Sequence, residues 1–180
     1  MAEKKVRVNR APVMTLWAAI VAERLGYAHE EALTLGRGVA GLNAQSKGRR
    51  LGIFEEPTPE EKQKRQKQEE KEAGKVQYVE IMNRSVPVMD TPQGPRAVSE
   101  GRPMPPQSVE RYLESKFKEN YAEVRASLER LAASYPPQEL ERKAYGLYEK
   151  FRPEVPEGTR GWGAMGELDL EKIEALKKAG

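Results

Sequence analysis

The 180-residue chain contains no cysteine and one histidine, His29. Disulfides, thiolate nucleophiles, Cys-ligated clusters and His-rich metal sites are thereby excluded. Aspartate is nearly absent as well, with only Asp90 and Asp169, far apart in sequence. A catalytic Asp pair or an Asp-built magnesium site would have to use those two residues. His29 stands at a predicted helix start with no Asp near it in sequence, so a cap or surface role is expected rather than a triad base. Long apolar runs are also missing. The longest, Met14 to Leu25, is interrupted by Glu23 and Arg24, and a bilayer span needs roughly 20 apolar residues. Met1 to Arg10 lead into an amphipathic pattern without a small-residue cleavage site. These absences lead to the expectation of a cytoplasmic protein with no membrane partner and no cofactor, and with little of the usual catalytic equipment. A composition heavy in Glu, Lys and Arg and poor in Asn and Cys would suit a heat-adapted source.

What the chain has is charge, unevenly placed. From Met1 to Phe54 there are nine Lys/Arg (Lys4, Lys5, Arg7, Arg10, Arg24, Arg37, Lys47, Arg49, Arg50) against four Glu, a balance of +5. The rest of the chain sums to −2, out of a net charge of +3. The amino-terminal third is therefore the part able to present a cationic field to an anionic partner.

Periodicity predicts a mainly α, α+β protein in three parts: a basic helical hairpin over 1–54, a charged linker or exposed helix over 55–75, and a β-meander plus helical domain over 76–180. Val6 to Asn9 reads as a short strand or ordered arm. Pro12 opens a helix carrying Val13, Leu16, Trp17, Ile20, Val21 and Leu25 at helical spacing, and Gly26 stops it. A second helix, about His29 to Gln45, starts with Glu30 and Glu31 and carries Ala32, Leu35, Val39 and Leu42 on one face. Residues 57–75 have almost nothing apolar to bury. Alternation from Val76 to Val98, with turns near Asn83 and Gly94, predicts two or three strands. Helical stripes follow. One is capped by Ser108, breaks near Asn120 and resumes to Leu131, and another runs from Leu140 to Phe151. Asp169 is expected to cap a last short helix.

The segment 35–50 is the most unusual. Gly36, Gly38 and Gly41 interrupt a predicted helix, at a cost of about 1 kcal/mol each relative to Ala. Gly36 and Ala40 are expected to pack on the first helix. Arg37, Gly41 and Ala44 form another strip where a phosphate backbone or a second helix has room to approach. Ser46 to Arg50 is expected to be a basic turn, with Gly48 freeing the backbone so that Lys47, Arg49 and Arg50 converge with N–H groups on an anion. The order of residues does not fit a Walker loop. No aromatic is interleaved with these cations, so single-strand stacking has no support there. Trp162, between Gly161 and Gly163, is either a plug in its own domain or an anchor for a partner. The tyrosines of the carboxy-terminal half read as core edges.

Arg10 to Ile53 and Ser108 to Leu170, with Phe151-Arg152-Pro153 and Gly161-Trp162-Gly163, resemble a group of prokaryotic proteins with no assigned activity. The resemblance implies no cofactor and no catalytic residue. The expectation from the residues is a non-enzymatic nucleic-acid binder that contacts phosphates through Arg37, Lys47, Gly48, Arg49 and Arg50, with Arg10 and Lys5 adding an arm. An alternative is an assembly factor or homo-oligomer that uses the Gly41 helix face and Trp162. A third reading, an enzyme holding a phosphorylated small molecule at the same turn, requires a concave pocket near Gly48.

Overall fold

The computed structural model describes residues 5–50, 76–99, 101–154 and 165–178, with residues 43–50 given by their backbone alone. The expected linker over 55–75 and Trp162 lie outside the described residues. The architecture is α+β, as the periodicity predicts. A central helix, α1 (Arg10–Arg24), runs antiparallel to α2 (His29–Arg50) and is enclosed by α3 (Pro106–Phe117), α4 (Tyr121–Ala133) and α5 (Pro137–Phe151).

Two small antiparallel sheets complete the fold. β1 (Lys5–Asn9) pairs with β6 (Met165–Asp169), so that Val6 lies opposite Leu168 and both are buried. The other sheet has the order β2 (Gln77–Ile81), β3 (Arg84–Thr91), β4 (Gly94–Ser99), β5 (Arg102–Pro103). Its hairpins turn where the residues predict. Met82 and Asn83 take positive φ of 52° and 64°, as a tight two-residue turn requires, and Gly94 takes 118°. Ile81, Val86, Val88 and Ala97 are buried on the face toward the helices. Thr34 fastens α2 to this sheet: its hydroxyl donates to Glu31 O (2.8 Å) and accepts from Ala97 N (2.9 Å).

α1 is more than amphipathic, since every residue from Ala11 to Ala22 is buried. Its alanines and Thr15 occupy the sides that hydropathy leaves neutral, and their small size lets neighbours close in from all directions. Trp17 ties it to α5 by donating Nε1–H to Ala144 O at 3.0 Å and meeting Phe151 edge-on, with centroids 5.3 Å apart. Gly36 of α2 sits so close to α1 that a Cβ there would overlap Thr15 O and lie 2.8 Å from Ala19 N. One apolar cluster joins β1, α1 and α2 with the sheet and α3 to α5.

Several local expectations need correction. Ser108 is not the cap of α3. Pro105 holds that position, and Ser108 Oγ lies in the first turn, donating to Pro105 O at 2.8 Å. No strand is expected at 165–169, where β6 lies, since its first two residues, Met165 and Gly166, close a glycine-rich stretch. Asp169 does cap the last helix, α6 (Leu170–Ala175), its Oδ1 accepting from Glu171 N at 2.9 Å.

Candidate nucleic-acid interface

α2 differs from expectation at its end. Instead of stopping near Gln45 and giving way to a basic turn, the helix continues to Arg50. A lone glycine at position 48 costs about 1 kcal/mol, and the Lys, Gln, Ala and Arg around it are good helix formers. Basic residues in a last turn are also favoured by the helix dipole. The free backbone N–H groups that a Gly48 anion cradle requires are committed to i−4 carbonyls in such a helix. The cradle expected from the residues is therefore absent, and what stands in its place is a continuous helix about 33 Å long.

This helix is strongly bipolar. Glu30 and Glu31 occupy its first turn, and no acidic residue follows from Ala32 to Phe54. Its first half is clamped by Gly36 against α1 and by Gly38 against the sheet, where a Cβ would lie 2.8 Å from Val86 Cγ1. The third glycine, Gly41, is exposed, and a Cβ there would meet nothing within 4 Å. At about 100° per residue, positions 37, 41, 44 and 48 fall on one strip, and 47 and 49 lie on either side of it, about 200° apart. The cations thus do not share one face with Arg37. The side chains of Lys47, Arg49 and Arg50 lie outside the described residues.

Arg37 is exposed and stacks its guanidinium 4.5 Å from the ring centroid of Tyr112 on α3, with Lys116 Nζ 5.9 Å from the same ring. Burial raises the Tyr112 hydroxyl pKa, and Arg37 only partly offsets it. Among the described residues neither Arg37 nor Lys116 forms an ion pair. Several other cations are neutralised within the chain: Arg125 faces Glu23, Glu110 and Glu129, Arg130 pairs with Glu174, and Arg96 pairs with Glu30.

Arg10 is not part of this surface. Its Nε donates to Pro153 O at 3.0 Å, and burial followed by the nearby Arg152 lowers its pKa. It serves as a staple between the start of α1 and the end of α5. Lys5 lies in β1 opposite Asp169, so the expected arm is a paired strand. His29 Nδ1 contacts Glu23 Oε1 at the surface of the hairpin turn. Among the described residues no group of three or more His, Asp or Glu is arranged to hold a metal ion, and no helix is long and apolar enough to cross a membrane.

No protein-family model, no curated protein and no solved structure matches the chain.

Proposed function

We propose that the chain binds double-stranded DNA by seating the carboxy-terminal turns of α2 in the major groove. The observation that carries this reading is the continuation of α2 as one helix, without an acidic residue after Glu31, through Lys47, Arg49 and Arg50. A helix fits the major groove of B-form DNA, whose two walls are lined with phosphates. A strip of small residues, Gly41, Ala44 and Gly48, allows the helix to approach closely, and cations at positions on both sides of the strip suit both walls. Arg37, held on Tyr112 without a carboxylate partner among the described residues, extends the same cationic track over the protein body. The buried first half of α2 supplies the rigid base that a positioned helix needs.

The deep, narrow major groove of A-form RNA does not admit a helix in this way. Fluorescence anisotropy with matched DNA and RNA duplexes at low salt tests the proposal. Tighter binding of the DNA is expected, and equal binding of both duplexes, or of neither, overturns it. The second reading, assembly through the Gly41 face, rests on the same open helix surface. It predicts a nuclease-insensitive oligomer in light scattering.

A further inference from the structure

At the opposite, acidic end of α2 a cleft of about 180 Å³ opens between the hairpin turn and the β2–β3–β4 sheet. This is below the roughly 300 Å³ of a site for a drug-sized ligand, and suits one side chain or a small molecule of that size. Val79, Val88 and Pro95 make its apolar wall, while Tyr27, Glu31 and Asp90 bring polar groups into it.

Glu31 is the unusual member. It is 8 % exposed, yet among the described residues its carboxylate has no hydrogen bond and no ion pair. The nearest cation is already used: Arg96 gives Nη2 to Glu30 Oε2 (2.7 Å) and Gln93 O (3.2 Å), and Nη1 to Pro95 O (2.8 Å). Burial raises the Glu31 pKa, Arg96 acts against that, and Asp90 adds to it. Tyr27 is raised by burial and then by Glu31 and Glu141. The Glu31 oxygens are not sealed from solvent but open into the cleft, where a ligand with a positive charge and N–H donors can take the place of water.

The lining selects the ligand's chemistry. Two carboxylates set against an apolar wall cannot furnish the six or more oxygens that a hard metal ion takes. An anion would be repelled. An organic cation matches every part: its charged head donates to Glu31 and Asp90, its alkyl stem lies along Val79, Val88 and Pro95, and the Tyr27 ring offers a face to the charge. We propose that this cleft binds a single alkylguanidinium or alkylammonium group, the end of an Arg or Lys side chain or of a free amine. The inference does not depend on the DNA reading, which concerns the other end of α2.

The test is titration of the full chain, followed by amide NMR shifts, with n-butylguanidinium, n-butylammonium, the neutral n-butanol, and N-acetyl amides of Arg and Lys. Saturable shifts around Tyr27, Glu31, Val79 and Asp90 are expected for the cations and not for butanol. Glu31→Gln should weaken binding about tenfold or more, as loss of a charge-assisted hydrogen bond does. Glu80→Gln, on the exposed side of β2, should leave it unchanged. Glu31→Gln should also fold at least as well as the parent, and Asp90→Asn gives a second variant with the same expected loss. Binding of the blocked amides assigns the group to a protein side chain, and binding of the butyl compounds alone assigns it to a free amine. The proposal is overturned if butanol shifts the same amides, if Glu31→Gln binds the cations as the parent does, or if no cation saturates by about 100 mM.

Discussion

α1 and α2 are neighbours in one hairpin, both rich in small residues, and they use those residues in opposite ways. In α1 the small side chains are buried on every side and let six other elements pack against one helix. In α2 the same economy divides in two. Gly36 and Gly38 are required by the chain's own packing, whereas Gly41 meets nothing within 4 Å. A glycine in a helix is therefore not one signal. Where a neighbour stands against it, it belongs to the core, and where it faces open space its cost is unrecovered among the described residues.

Gly36→Ala should have the largest effect on stability, because the added methyl collides with the backbone of α1 rather than with a movable side chain. A loss of about 2–4 kcal/mol is expected in urea unfolding. A loss under about 0.5 kcal/mol would mean that the two helices separate easily. Gly41→Ala should move the other way, stabilising the fold by about 0.5–1 kcal/mol. It should also weaken DNA binding, since the strip loses its close approach. Gly146, on α5, likewise has open space around a Cβ, and Gly146→Ala should give a similar stabilisation with DNA binding unchanged. If both variants leave binding unchanged, the Gly41 strip has no role in it.

The smallest effect expected is at Glu139, where α5 meets the last described residues of the chain. The Glu139 carboxylate accepts from Lys178 (2.5 Å) and Lys143 (2.9 Å), which hold its pKa down to about 2 from an ordinary 4.5. Between those values the unfolded chain binds the extra proton, so the contribution to stability is present above about pH 4.5 and disappears as pH falls toward 2. Acid unfolding of Glu139→Gln should therefore differ slightly from the parent near neutral pH and converge with it at pH 2, and high salt should shrink the difference.

The stripes of α3, α4 and α5, the break at Asn120 and the meander were legible because their residues follow one period and end in proline or turn chemistry. β6 was not, because Gly166 occupies a core-facing position and erases the alternation that Leu168 alone cannot carry. The full burial of α1 was hidden by alanine and threonine, whose hydropathy does not announce a face. The end of α2 was misread because Gly48 looks like a stop while the residues around it outweigh that cost. Arg37, Gly41 and Gly36 were singled out from spacing alone. The cleft at Glu31 and Asp90 was not legible, since those residues meet only after the sheet docks on the hairpin.

In the proposed complex the basic end of α2 contacts DNA phosphates, and the slope of log binding constant against log salt counts those contacts. Each phosphate contact contributes about 0.9 to that slope on B-form DNA. Replacing Arg49 and Arg50 by Ala should make it shallower by about 1.8 and weaken binding at low salt. An unchanged slope, or no binding of the parent protein at low salt, would mean that this end of α2 does not touch DNA.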